Sequence, residues 1–421
     1  MVAHPIGPSG RAAARLSLAA ASVGFGQSAV LALVPVTAAR TGLDPAAIGG
    51  VALLGSVVFL LCAPAWGHRG GAWRLRGLFG RLAALMGLGH ALFGLALVLP
   101  GLPAAGALGL LAASRIAYGA GAAGVMPHAQ AALVRGLPQA LRPAALGRLS
   151  AGLAVGRILG SLVMAGGLFG AVAPLLALAA SPLLLLAAPD LAGGARPARG
   201  SAGRDFLRAA APLLAIGFAL TVGLGQIQLV LGLFLQQRFG LVAEAAAGFA
   251  GATFALVAVA TILTQLLVVP RLGQDLGRNL GLGLAGFAAG SGLIALAPTP
   301  WLAGLGAVLA GACLALATPT YTAALVARVP EEAQAAAAGW LASVHVLGQG
   351  IGALSGGAAF RIAPTLPPWF CAALGLALIP VALRLGRGAD HQDGPRPVPS
   401  SRTVATVAIP ESSVASPNRA P

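Results

Sequence analysis

Carboxylates are scarce in this chain. Only 10 of its 421 residues are Asp or Glu, against 26 that are Lys or Arg. All ten can be named: Asp44, Asp190, Asp205, Glu244, Asp275, Glu331, Glu332, Asp390, Asp393 and Glu411. None falls in the middle of a long apolar run. This excludes enzymes that work inside a membrane with paired carboxylates, and no metal-ligand cluster or nucleophile–base arrangement replaces them. It also removes the embedded acid that an exchanger of protons for cationic solutes needs. Cysteine is equally sparse. Cys62, Cys313 and Cys371 each sit inside an apolar run without paired spacing, so they point to packing and to neither a disulfide framework nor a metal site. Charged residues make up 9% of the chain and hydrophobic ones 58%, with a mean hydropathy of +0.89. So little charge excludes a soluble globule of this length and makes lipid the solvent.

What the sequence does contain is a succession of apolar runs, each near the roughly 20 residues that a helical span needs. Twelve are expected, at about 16–38, 47–66, 79–99, 105–134, 149–170, 172–189, 208–232, 246–269, 279–298, 302–326, 336–360 and 367–386. The fold class that follows is an all-α membrane protein of twelve transmembrane helices in two six-helix bundles. Residues 1–189 form the first bundle and 208–387 the second. The polar Gly-, Pro- and Arg-rich stretch 190–207 reads as a cytoplasmic linker, and the Pro- and Ser-rich tail 388–421 as disordered. Arg11 and Arg15 precede the first run without a small-residue cleavage site, so that run reads as helix 1 and not as a signal peptide. Asp44 before Pro45, and Glu331 with Glu332, sit where capping and the helix dipole favour acids.

The formal charge of +16 does not point to nucleic acid, because the arginines sort by membrane side. Arg11, Arg15, Arg69, Arg74, Arg76, Arg81, Arg135, Arg142, Arg148, Arg196, Arg199, Arg204, Arg208, Arg271, Arg278, Arg328, Arg384 and Arg387 fall at the ends that an amino-terminus-inside topology makes cytoplasmic. Arg40, Arg238 and Arg361 fall opposite. The positive-inside rule then places both termini in the cytoplasm.

The chain also repeats itself. Val23-Gly24-Phe25-Gly26-Gln27 returns as Val222-Gly223-Leu224-Gly225-Gln226. Arg40-Thr41-Gly42-Leu43 returns as Arg238-Phe239-Gly240-Leu241, and Pro127 with Ala131-Ala132-Leu133-Val134 as Pro319 with Ala323-Ala324-Leu325-Val326. Parallel repeats in a membrane bundle belong to transporters, with the substrate site between the repeats near the midplane. Gly152, Gly156 and Gly160, and again Gly348, Gly352 and Gly356, form four-residue stripes that let helices approach closely.

Arg115 and Arg157 are expected near the midplane, about ten and eight residues into their helices. A central charge costs on the order of 2.5–3.5 kcal/mol and faces an interior or a watery cavity. With no acid at that depth, two readings of each remain. One is a positive cavity that selects an anionic or oxygen-rich solute through the planar guanidinium fork; the other is a structural pin on backbone carbonyls. Aligning Arg157-Ile158-Leu159-Gly160 with His345-Val346-Leu347-Gly348 sets His345 opposite Arg157, as a protonatable group or as a neutral hydrogen-bonding one. Gln130 lies on the Arg115 side of its helix, whereas His128 points away and His90 is expected to be structural. Gln27, Gln226, Gln228, Tyr321 and Thr322 add neutral polar groups, either solute contacts or glue between helices.

These motifs resemble the major facilitator superfamily, in particular its twelve-helix exporters, over residues 15–387. Pro64-Ala65-Trp66-Gly67-His68-Arg69, followed by Arg74 and Arg76, is similar to the family's loop between helices 2 and 3. Arg115-Ile116-Ala117-Tyr118-Gly119 resembles its helix 4 motif and Gly156-Arg157-Ile158-Leu159-Gly160 its exporter-associated helix 5 motif. Two positions depart. Gly71 stands where the loop carries an acid, which bears on charge-based gating, and Ser161 stands where helix 5 carries a proline, which bears on proton-coupled export. Pro319-Thr320-Tyr321-Thr322-Ala323 and the Gln-rich helix 7 resemble a bacterial group that includes siderophore exporters. The resemblance implies a secondary transporter of the bacterial inner membrane that rocks two halves about a central site, by efflux as an antiporter or by uptake of an organic anion. Its expected partners are lipid, a small-molecule solute and protons. No cofactor is called for, and the chain is expected to work as a monomer.

Overall fold

The computed structural model describes residues 9–69, 72–138, 141–163, 172–191, 204–273, 275–329 and 331–390, and all regular structure among them is helical. In chain order the helices are α1 (Gly10–Ala32), α2 (Val34–Thr41), α3 (Pro45–Arg69), α4 (Leu75–Val98), α5 (Ala104–Val134), α6 (Arg142–Leu162) and α7 (Val172–Ala180), the last continued as a 3₁₀ helix at Ser181–Ala187. The second half holds α8 (Arg204–Phe239), α9 (Ala243–Leu263), α10 (Leu276–Leu296), α11 (Pro300–Ala327), α12 (Glu331–Ile362) and α13 (Leu366–Asp390).

Eight of these pass as membrane spans by length and apolarity, or nine with the bent pair α1–α2. The remaining expected spans correspond to α6, α7 with its 3₁₀ extension, and α12. Among them α6 carries Arg148 and Arg157, and α12 carries His345, Gln349 and many glycines and alanines. Helix 1 is bent by 53° between α1 and α2. Pro35, near the start of α2, lacks the N–H that would continue the ladder, and its ring crowds the carbonyl one turn back. The expected spans of helices 5 and 7 shift most: α6 begins at Arg142, residues 164–170 lie outside the described residues, and α8 runs from Arg204 to Phe239, whereas helix 6 keeps its expected start at Val172 and only tightens into a 3₁₀ helix in its second half. Linker residues 192–203, the tail from 391 and Gly71 also lie outside the described residues. Asp44 caps α3 by accepting from the amides of Ala46 and Ala47 at 2.8 and 3.0 Å; the side chains of Glu331 and Glu332 are outside the description.

Each half is built on one crossing of two glycine-bearing helices. In the first half, a methyl group on Gly152, Gly156 or Gly160 of α6 would strike the carbonyls of Ser17, Ala21 and Phe25 on α1. In the second, Gly348 and Gly352 of α12 meet the carbonyls of Phe218 and Val222 on α8, with the Thr221 hydroxyl also against Gly348, and Gly356 meets the Cα and side chain of Gln226. Backbones this close maximise dispersion contact where lipid supplies no hydrophobic drive. Gly42 and Gly240 both end their helices with positive φ, 65° and 67°, so the repeated Arg-x-Gly-Leu marks a left-handed helix stop that favours glycine.

Among the described residues the two halves pack together from the end opposite the termini to mid-depth, where Gly350 of α12 meets Ser56 of α3. The buried cluster around Leu33, Phe93 and Leu111 of the first half takes in Ala243 and Ala247 of the second, and the second half's core takes in Val34 and Ile48 of the first. At this end Gly49 packs on Ala353, Gly232 on Pro35, and Gly251 on the Ser161 carbonyl. The cluster at the opposite end of the first half, around Leu75, Leu78 and Leu133, contains first-half residues alone. That end bears the start of α1 and the end of α13 and is called the terminal face below. There a cavity of about 660 Å³ lies between α9, α11 and α12.

Candidate functional site

The helix crossings fix which residues are equivalent, and they correct the alignment expected from the sequence. Ser17, Ala21 and Phe25 hold the places of Phe218, Val222 and Gln226, an offset of 201 positions, while the echoed Val-Gly-x-Gly-Gln motif is offset by 199. The motif is therefore slipped by two residues. Gly24 meets α6 in the first half, but it is Gly225, the second glycine of its echo, that meets α12. Gln27 corresponds to Gln228, not to Gln226. Gly156 corresponds to Gly352, so Arg157 corresponds to Ala353, and His345 lies two turns nearer the terminal face, about 12 Å along the axis. A third crossing gives the rest. Gly89 of α4 packs on Ser114 and Tyr118, and Gly290 of α10 packs on Gly306 and Ala310. Arg115 then corresponds to Ala307 and Tyr118 to Ala310, in the register that also matches Pro127 to Pro319.

Arg115 is half-buried. Its stem packs on Gly55 of α3, with the Cδ 3.5 Å from where a Cβ would stand. Its guanidinium lies 5.5 Å from the Phe93 ring and 5.1 Å from the Tyr118 ring, and donates to Ser114 Oγ at 3.1 Å. These are favourable cation–π distances, and no carboxylate pairs with it among the described residues. Tyr118 donates to the Val23 carbonyl at 3.3 Å and stacks at 4.9 Å on His90. That histidine is 1% exposed and fills the space left by Gly26. Arg157 is exposed and reaches Gln27 Oε1 at 3.5 Å, and Tyr118 stands within electrostatic reach of both guanidinium groups. The sequence pattern hid Phe93 and Tyr118 as parts of this site; the four-residue spacing from Gly89 to Phe93 on α4 was the available signal.

The second half holds a different set. Tyr321 is 1% exposed and its hydroxyl hydrogen bonds His345 Nε2 at 2.8 Å. Gly217 of α8 makes room, since a Cβ there would stand 3.2 Å from the Tyr321 ring and 3.3 Å from His345. Thr318 and Thr322 flank the pair and line the 660 Å³ cavity with Gln265 and Gln334. Their hydroxyls donate back to the Leu314 and Thr318 carbonyls at 2.9 and 2.7 Å, which leaves only acceptor capacity for a ligand. Gln265 sits in a π turn, Thr264–Val268, a distortion frequent at functional sites.

The structure separates the remaining expected residues. Gln130 is exposed on α5, and Gln228 lines a small space of about 30 Å³ between α8, α9 and α11. Gln226 is 2% exposed and donates to Ser355 Oγ at 3.2 Å, in helix packing and away from the cavity. His128 is buried against the Gly124 carbonyl at 2.8 Å. The expected loop motif begins inside the last turn of α3, where Gly67 is half-buried and His68 exposed, and the side chain of Arg69 is outside the description. Trp66 donates to the Ala120 carbonyl at 2.6 Å. Arg74 finds its acid in Asp190 at 2.6 Å, which ties α4 to the end of the same half. This hydrogen bond and the positive charges of Arg74 and Arg76 hold the Asp190 carboxyl below its usual range.

Two helix bundles joined at one end, with polar groups gathered between them, have a counterpart in sequence. A family model described as the Major Facilitator Superfamily matches residues 16–280. The chain belongs to this superfamily. A search of curated proteins finds no match. Similar solved structures include the D-xylose–proton symporter, with 13% identity, a TM-score of 0.71 and coverage of 88% of this chain and 96% of that one. The nucleoside transporter NupG gives 14%, 0.68, 90% and 98%, and the human organic anion transporter MFSD10 gives 17%, 0.62, 88% and 99%. At these identities the likeness is one of fold. As a member of this superfamily the chain is a multi-pass membrane transporter and not an enzyme.

Proposed function

We propose that the protein exports a small anionic or oxygen-rich solute across the bacterial inner membrane, with Arg157 and Arg115 as its anion-binding groups. The observation that carries this reading is the pair of guanidinium groups in the first half, Arg115 beside two rings and Arg157 beside the Gln27 amide, with no acid beside either among the described residues, while alanines stand at the corresponding positions 307 and 353. An unpaired cation in an apolar medium is costly, and a carboxylate or phosphate on the solute offsets that cost through a bidentate pair. The neutral groups near the cavity, Tyr321, Thr322 and His345, together with Gln27 beside Arg157, hydrogen bond the rest of the solute.

The arginine-rich terminal face is taken as cytoplasmic by the positive-inside rule, so the cavity opens to the cell interior. That favours loading from inside and thus efflux, of a siderophore, another metabolite or a drug-like acid. His345 is the group suited to proton coupling, because no carboxylate lies at membrane depth among the described residues and an imidazole can both take up and release a proton. The chain acts as a monomer in this reading. Metabolite profiling tests it: cells carrying the protein should release an organic anion that cells lacking it, or carrying Arg157→Ala, retain. Accumulation of that anion from the medium would reverse the direction.

A further inference from the structure

The two halves offer a solute different chemistry. In the second half Thr318 and Thr322 of α11, Gln265 in the π turn after α9 and Gln334 of α12 line the 660 Å³ cavity, and no charged side chain lines it among the described residues. The threonine protons are committed to the Leu314 and Thr318 carbonyls, so both hydroxyls act only as acceptors toward a ligand. The two glutamine amides accept and donate. Such a wall suits hydroxyl groups, which also do both. An ammonium group would meet no countercharge there, and an apolar chain would displace water from four polar groups without replacing its hydrogen bonds. Arg271 and Arg328, which follow α9 and α11, donate to the Leu267 and Leu385 carbonyls and do not line the cavity.

The neutral groups also stand at a different depth from the arginines. Parallel repeats set equivalent residues at equal depth, so Arg115 is level with Ala307 and Arg157 with Ala353. Thr318 and Thr322 lie eleven and fifteen residues beyond Ala307 on α11, and His345 eight residues before Ala353 on α12. At 1.5 Å per residue these groups are nearer the terminal face by about 16, 22 and 12 Å. Side chains close part of that distance, and the solute must span the rest. We infer that the solute is an elongated acid, with its negative group on the arginines and a neutral, hydroxyl-bearing end about a disaccharide's length away on Thr318, Thr322 and the glutamines. The inference rests on the proposed anion site and names the kind of anion that fits it. A short acid engages one wall and leaves the other to water. A long one engages both, and its second contact forms at the high effective concentration that the first one creates.

Equilibrium binding to the full-length protein in lipid nanodiscs tests this with three acids. Lactobionate is a disaccharide acid with hydroxyls at its far end, gluconate is the same acid without the second sugar, and biphenyl-4-carboxylate is elongated but has no donor at its far end. Lactobionate should bind at least about tenfold more tightly than either of the others. The double variant Thr318→Val/Thr322→Val keeps the shape of both side chains and removes both acceptors. It should weaken lactobionate about tenfold and leave gluconate unchanged, with Thr322→Val alone giving a smaller loss of the same sign. Arg157→Ala should weaken all three acids. Equal binding of lactobionate and gluconate, lactobionate binding unchanged by the threonine variants, or no lactobionate binding would overturn the elongated acid. Lactobionate binding that is lost in the threonine variants but unchanged in Arg157→Ala would count against the proposed anion site instead.

Discussion

The two halves share a scaffold and differ in charge. The crossings of α1 with α6 and of α8 with α12 use glycines at matching places, yet Arg115, Tyr118 and Arg157 of the first half face Ala307, Ala310 and Ala353 of the second. The second half in turn holds Tyr321 and His345 where the first, by the same registers, has Ala129 and Leu149. Duplication thus preserves what the backbone needs for close approach, while the side chains at these positions diverge. Charge sits deep in one wall; a neutral hydrogen-bonding pair sits nearer the mouth of the other.

The shared scaffold can be broken symmetrically. Gly156→Leu and Gly352→Leu each force a side chain into the facing carbonyl of Ala21 or Val222, and both should abolish recovery of monodisperse protein, a loss above about 4 kcal/mol. Gly87→Ala, with nothing within 4 Å, should leave it intact; size-exclusion profiles of the three variants read the difference.

The divergence of the walls is tested next. Ala307 is 4% exposed and lacks the two rings that flank Arg115, so Ala307→Arg should destabilise the protein by about 3 kcal/mol, the cost of an unsupported central charge, read as a lower unfolding temperature in detergent. Tyr321→Phe removes the 2.8 Å bond to His345 and should cost about 1 kcal/mol by the same assay.

The smallest effect belongs to Asp190. Its pKa is depressed in the folded protein by Arg74, so its contribution is present above the unfolded value of about 3.9 and is lost as pH falls through the lower folded value. Asp190→Asn should flatten the pH dependence of stability in that acidic window and leave neutral behaviour nearly unchanged.

Much of the fold was legible because lipid imposes long apolar runs: the start of α5 differs from expectation by one residue, 104 against 105. Breaks set by single residues were not, as the Pro35 bend and the π turn in α9 show. Register was the main loss. In helices made of Gly, Ala and Leu a five-residue identity carries little information, and the echo at Gln226 misled by two positions because the face a residue presents is set by its contacts and not by its neighbours in sequence. That slip placed Gln226 in the cavity wall, and a separate slip of eight positions, pairing Gly160 with Gly348 in place of Gly356, set His345 level with Arg157; the crossings put Gln226 into packing and move His345 about two turns away. Arg115 and Arg157 were found because an intramembrane charge is conspicuous in any apolar helix, whereas Phe93 and Tyr118, which support Arg115, look like ordinary core residues.

The central claim is that the arginine wall of the first half binds the solute's negative charge. It is tested most directly by comparing wild type and Arg157→Ala in proteoliposomes, using the anion that profiling identifies and confirming equal insertion and unfolding temperature. Loss of a charge-assisted pair of about 2–3 kcal/mol predicts transport at least about 30-fold slower in the variant. Transport at the wild-type rate by a well-folded Arg157→Ala protein would contradict the account.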